Sequence, residues 1–166
     1  MRIGHGMDVH TFSDDENRPL VLGGVILPEG PGLMGHSDAD VVLHALSDAL
    51  LGAAALGDLG TLFGTDDPRY AGAPSSVFAT EAMRRIGTAG WRLANADCTI
   101  VAQRPRIGPY RVRITDAVHQ ILGVDPGTVS VKSTTTDALG AIGRGEGIAC
   151  LAVVLLERPT GAPARG

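Results

Sequence analysis

Apolar and polar positions divide this chain into segments of different period. Residues 1–10 read as a strand whose end is polar, "GHGMDVH". "LVLGGVILP" reads as a second strand with a bend or bulge at Gly23-Gly24. "SDADVVLHALSDALLGAAAL" predicts the clearest helix, with Ser37 as N-cap, Asp40 at N3 and Gly57 as its stop. Phe78, Ala82 and Ile86 recur at helical spacing and predict a second helix from about 75 to 90. "WRLANADCTIVAQ" alternates as a strand does. A third helix is expected from about Pro109 to Leu122, closed by Gly123. "TVSVK" predicts a short strand, and "STTTDALGAIGRGEG" predicts loop with one helical turn. "IACLAVVLLE" is apolar throughout, as a central strand would be. Loops are expected over 13–19, 29–36, 58–74 and 104–110. The third of these is long enough to suggest a functional role. Strands and helices mix without strict alternation. The predicted fold class is therefore α+β, a single-domain mixed β-sheet with helices packed on one face. The domain is expected over 1–157, with a disordered tail over 158–166.

Composition narrows the function. The 166 residues suit one domain, and the 44% hydrophobic content supplies a core of aliphatic side chains. A net charge of -4 speaks against the basic surface of a nucleic-acid binder. Cys98 and Cys150 lack metal-ligand spacing and read as buried thiols of a cytoplasmic protein. The first residues carry no signal-peptide pattern, and "LAVVLL" is too short to cross a bilayer.

Candidate chemistry begins at the end of the first strand. Asp8 and His10 are two residues apart, so both side chains point to one face. On the first helix, Asp40, His44 and Asp48 form a stripe at four-residue spacing on an otherwise apolar surface. A buried polar stripe is costly unless its groups are paired or bind an ion. Asp8, His10 and His44 would make a His₂Asp set with an open fourth position, the pattern of a catalytic zinc site. Asp40 and Asp48 would then support the imidazole. The bland alternatives are a loop-capping Asp8, a surface His10 and a satisfied core His44. Anion-binding features follow. His36-Ser37 precede the helix, where free N–H groups favour a phosphate. "VKSTTTD" offers Lys132 and a run of hydroxyls, or simply a capped polar loop. Arg104, Arg106 and Arg144 lie in Pro- or Gly-rich stretches, where most arginines are merely solvated. Asp58, Asp66 and Asp67 could bind sugar-like hydroxyls or form turns.

"RIGHGMDVH", "LGGVILP", "GLMGHSDADVVLHALSDALLGAAALGDLG", "DCTIVAQRPRIGPY" and "VKSTTTDALGAIGRGEGIA" stand in an order that resembles the 2-C-methyl-D-erythritol 2,4-cyclodiphosphate synthase family. The resemblance runs from residue 2 to about 157. It implies a homotrimer with active sites between subunits. It also implies cyclisation of 4-diphosphocytidyl-2-C-methyl-D-erythritol 2-phosphate with release of CMP, in the non-mevalonate route to isoprenoids. One Zn2+ would sit on Asp8, His10 and His44, and Mg2+ or Mn2+ would reach the substrate diphosphate through Asp137. His36 and Thr135 match positions that stabilise the transition state. Asp58 and Gly60 match contacts to the erythritol diol, and Leu59 between them matches a substrate contact. Val9, Ser37, Phe63, Gly64, Thr65, Asp66 and Asp67 match further substrate contacts. Ala102, Gln103, Arg104, Pro105, Arg106, Ile107 and Gly108 match a loop that holds cytosine. Thr134 to Asp137, with Thr136 among them, match phosphate contacts, Lys132 matches a substrate contact, and Ala141 and Arg144 match positions that in the family lie near a trimer-axis cavity.

The chain departs from the family's usual pattern in three places. Asp137 replaces a Glu, Gly64 replaces a Pro, and Ala141 replaces a Phe. Two other classes of function compete. One is a zinc-dependent phosphohydrolase, which would yield linear phosphates. The other is a non-catalytic trimeric metabolite-binding protein. A fused cytidylyltransferase domain would not fit in 166 residues.

Overall fold

The computed structural model describes residues 1–64 and 68–159. The chain order is β1 (Arg2–Thr11), β2 (Leu20–Leu22), β3 (Val25–Leu27), α1 (Val41–Ala53), α2 (Leu59–Phe63), α3 (Ser76–Thr88), β4 (Arg92–Ala102), α4 (Arg111–Leu122), β5 (Val129–Thr134), α5 (Gly140–Gly143) and β6 (Gly147–Glu157). Four strands form one sheet in the order β1-β6-β4-β5, with β4 and β5 parallel and the other pairs antiparallel. The apolar strand β6 is internal, as its composition predicted. No helix among the described residues is long and apolar enough to cross a membrane.

Side-chain alternation gives the sheet two unlike faces. Gly4, Gly6, Asp8 and His10 of β1 share a face with Cys150, Ala152 and Val154 of β6 and with Cys98 and Ile100 of β4. Helix α1 lies on that face. Its Leu43, Leu46, Leu50 and Leu51 are fully buried, each contributing roughly 1.5–3 kcal/mol of apolar burial. The helix comes close because β1 is bare beneath it. A Cβ on Gly4 would fall 1.9 Å from the Ala49 carbonyl oxygen, and one on Gly6 would fall 2.0 Å from that of Ala45. The opposite face carries exposed Ile3, Met7, Val9 and Val153, with an ion pair between Lys132 and Asp97 beside them.

Several expectations change. "LVLGGVILP" is a two-stranded hairpin rather than one bent strand, because Gly23 and Gly24 both take positive φ (59° and 77°) and turn the chain back. The N-cap of α1 is Asp40, not Ser37. The Asp40 carboxylate accepts from Val42 N (3.0 Å) and Leu43 N (3.2 Å), and also from Gly23 N (2.8 Å) and Gly24 N (2.6 Å) of the hairpin. Four donors converge on one fully buried carboxylate and tie the hairpin to the helix. The helix ends at Ala53, short of Gly57. The loop expected over 58–74 contains α2 and a 3-10 turn over 68–70. Asp58 caps α2 by accepting from Thr61 N at 2.7 Å. The tail expected over 158–166 lies outside the described residues from 160 onward.

Candidate metal centre

Strand β1 ends beside the first turns of α1, and there the two elements bring three donor side chains together. Asp8 Oδ2 stands 3.1 Å from His10 Nε2 and 3.0 Å from His44 Nδ1. One ligand atom from each of the three residues lies within 4.8 Å of the others. Among the described residues this is the one such cluster of His, Cys, Asp and Glu. Zinc bonds of about 2.0–2.1 Å in a tetrahedron require donors roughly 3.3 Å apart. The two distances from Asp8 fall within a few tenths of an ångström of that spacing.

The electrostatics fit a cation. Burial alone would raise the Asp8 pKa, but hydrogen bonds with His10 and His44 outweigh it and hold the carboxyl well below its ordinary range. The His10 pKa is raised, chiefly by its bond to Asp8, against the opposing effect of burial. A backbone hydrogen bond at Met34 orients the same ring.

A cavity of about 250 Å³ opens over the trio, and His36, Ser37, Asp48, Leu59, Gly60, Phe63, Gly64, Tyr70 and Phe78 also line it. Phe63, Tyr70 and Phe78 meet edge to face, with centroids 4.9–5.4 Å apart. The His44 ring lies 5.9 Å from that of Phe78. The loop carrying His36 is held from behind by Arg18, whose guanidinium donates to the carbonyls of Leu33, Gly35 and Ser37.

Two residues expected to support His44 take other positions. Asp40 faces the hairpin, as described. Asp48 borders the cavity, but its carboxylate accepts from Leu59 N at 2.9 Å and so anchors α2. Burial raises the Asp48 pKa, and the charges of Asp58 and Asp8 add to that rise. The partners of His44 Nε2 are instead Ser75 Oγ (2.9 Å) and Ser37 Oγ (3.3 Å). Ser75 was legible only as a helix start, and nothing in its spacing pointed to His44. The Val9 side chain points to the opposite face of the sheet, away from the cavity.

The remaining expected site residues gather elsewhere. Ala102 ends β4, and Gln103–Gly108 follow it. Thr134 ends β5. The Ala138 N–H donates to Gln103 Oε1 at 3.4 Å, and Arg104 donates to the Gly145 carbonyl at 3.2 Å. Thr135 Oγ1 donates to the Asp137 carboxylate at 3.1 Å. Lys132 is paired with Asp97, and Arg144 with Glu146 at 2.6 Å. Thr136 donates to the Leu139 carbonyl at 2.7 Å, and Ala141 lies exposed in α5. Thr134 pairs with Val101, Val101 with Ala149, and Ala149 with Val9. Three inter-strand spacings therefore separate this cluster from the strand that carries Asp8 and His10, roughly 14 Å. Thr65, Asp66 and Asp67 lie outside the described residues.

Comparison with known proteins accords with this architecture. A 2-C-methyl-D-erythritol 2,4-cyclodiphosphate synthase of Moorella thermoacetica is 56% identical over 163 residues, covering 98% of this chain and 99% of that protein. A solved 2C-methyl-D-erythritol-2,4-cyclodiphosphate synthase in a CDP-bound form superposes with a TM-score of 0.85 at 38% identity, covering 94% of this chain and 100% of that one. The bifunctional IspDF of Campylobacter jejuni matches with a TM-score of 0.89 at 40% identity. That match covers 95% of this chain but 42% of the bifunctional one. The YgbB family model matches residues 1–157, and the chain belongs to the YgbB family.

Proposed function

We propose that this chain catalyses the cyclisation for which its relatives are named. An oxygen of the substrate's 2-phosphate attacks the β-phosphorus of the cytidine diphosphate group. The bond from that phosphorus to the bridging oxygen breaks, and CMP departs with the electron pair. The observation that carries this reading is the Asp8, His10 and His44 trio at the floor of a cavity, in a chain of this family. The attacking phosphate is already ionised, so positioning and charge neutralisation matter more than a strong base.

Asp8, His10 and His44 would hold Zn2+, which supplies Lewis-acid stabilisation of phosphate oxygens when bound. His36 and Ser37 face the same space. His36 is assigned to the transition-state charge together with Thr135, and Ser37 to a phosphate oxygen. Phe63, Tyr70 and Phe78 form an apolar wall that limits competing hydrolysis. Asp58, Leu59 and Gly60 are assigned to the diol. Residues 102–108 are assigned to cytosine, Lys132 and Thr134–Thr136 to the phosphates, and Asp137 to Mg2+ or Mn2+.

The separation of these groups within one chain supports a homotrimer whose active sites lie between subunits. Asp8 and His10 lie on the edge strand β1, with His44 on the helix above it, and the cluster around Thr135 lies at the far edge, beyond β6 and β4. The apolar sheet face of Ile3, Met7, Val9 and Val153 supplies a surface for assembly. The working unit is residues 1–157, acting in the cytoplasm on a soluble nucleotide.

Phosphorus NMR tests the reading. The protein is incubated with 4-diphosphocytidyl-2-C-methyl-D-erythritol 2-phosphate, zinc and magnesium. A cyclic diphosphate pattern appearing together with CMP is expected. CMP with linear phosphates only would overturn the cyclase in favour of a hydrolase, and an unchanged spectrum would favour a binding protein.

A further inference from the structure

The function above uses one nitrogen of His44 and leaves the other unexplained. His44 Nδ1 faces Asp8 Oδ2 at 3.0 Å, so Nε2 points away from the metal position. It points at Ser75 Oγ, 2.9 Å away, on a residue with no exposed surface. Ser75 Oγ donates in turn to Asp38 Oδ1. Asp38 is itself held. Its Oδ2 accepts from Ser75 N at 3.0 Å, its Oδ1 accepts from Asp40 N at 3.2 Å, and its own N–H donates to the Ala73 carbonyl at 3.1 Å. Ser37 Oγ lies farther from Nε2, at 3.3 Å, and accepts from Ala39 N at 3.2 Å.

We propose that Ser75 and Asp38 are positioning residues for the metal, joined as His44 Nε2–H to Ser75 Oγ–H to Asp38 Oδ1. The inference rests on the metal reading above. A neutral imidazole carries one N–H. If Nδ1 gives its lone pair to an ion, the hydrogen resides on Nε2 and needs an acceptor. Ser75 accepts it only if its own hydrogen has somewhere to go, and Asp38 receives that hydrogen. The carboxylate thus selects the tautomer that leaves Nδ1 open, and it fixes the ring plane by acting through a hydroxyl. Metal-bound histidines generally need such a partner on the other nitrogen. Here it comes from two segments distant in sequence. Asp38 precedes α1 and Ser75 precedes α3, so the packing of these two helices sets the ring.

The test is zinc affinity by competition with a chelator, read together with the 15N chemical shifts of the His44 ring. Wild-type protein should bind zinc with an Nε2–H tautomer at His44. Ser75→Ala should bind it about 10–100-fold more weakly, with a mixed tautomer signal. Ser75→Thr keeps the hydroxyl and should restore both readouts. Ser75→Ala with wild-type affinity and ring shifts would overturn the proposal while leaving the metal reading intact. Wild-type protein that binds no zinc would overturn the metal reading, and this inference with it. Should Ser75→Ala not fold, the zinc-loaded wild type decides alone, because an Nδ1–H signal at His44 excludes the arrangement.

Discussion

Asp8 is the residue on which the candidate metal centre turns, because one carboxylate oxygen faces both imidazoles. Its lowered pKa and the raised pKa of His10 make the metal-free protein sensitive to pH from both sides. Asp8 contributes stability that is fully present above its ordinary value of 3.8 and is lost as pH falls through its depressed folded value. His10 contributes stability that is fully present below 6.5 and is lost as pH rises through its raised folded value. In chelator-treated protein the thermal midpoint should therefore decline as pH rises above 6.5. Zinc should remove that decline, since the ion takes the place of the proton and favours the neutral ring. His10→Gln should flatten the metal-free decline. Melting curves across pH, with and without chelator, check this, and an unchanged slope in His10→Gln would refute the assignment. Asp40 shows a different use of a carboxylate. Complete burial pushes its pKa up, while the N–H groups of Gly24, Gly23 and Leu43 pull it back. It holds together the hairpin and the helix rather than the metal ligands.

The geometry of the candidate metal centre depends on how closely α1 approaches β1. Asp8 and His10 belong to the strand and His44 to the helix, so their distances are set by the packing at Gly4 and Gly6. Gly6→Ala would place a Cβ 2.0 Å from the Ala45 carbonyl oxygen, a backbone atom that cannot yield by a change of rotamer. The strand and helix must separate, at a cost on the order of 1–3 kcal/mol or more. The expected outcome is a lower thermal midpoint together with weaker zinc binding. Gly52→Ala is the control on the same helix. A Cβ there meets nothing within 4 Å, so helix propensity should stabilise the protein by up to about 1 kcal/mol and leave zinc binding unchanged. Calorimetry and zinc titration separate the two cases. Equal effects of the two substitutions would show that the close approach does not control the metal centre.

At the scale of the molecule, the two faces of the sheet have different work. One is covered by helices. The other exposes Ile3 at 74%, Met7 at 57% and Val153 at 45%. Val153 pairs with His5 on one side and Asp97 on the other, which places it on an inner strand of that face. Val153→Glu should prevent the proposed trimer from assembling there without disturbing the helix-covered core. The expected protein is monomeric by light scattering, binds one zinc per chain and turns over no substrate. An active Val153→Glu monomer would refute the shared active site.

Local pattern was enough for much of this. Asp8 and His10 share a face because strand side chains alternate, and His44 is inward because its helix is apolar nearly all round. Sequence alone therefore singled out Asp8, His10 and His44 as candidates and determined the main helices and strands and the apolar character of β6, while packing brought His44 to the other two. Tertiary structure decided what depends on contacts between distant segments. It placed Ser75 and Asp38 behind His44, turned the Asp40 carboxylate to Gly23 and Gly24, and set the Thr135 cluster at the opposite sheet edge. Each of these joins residues through packing and strand order. Periodicity records which face of an element is buried, not which partner that face will meet.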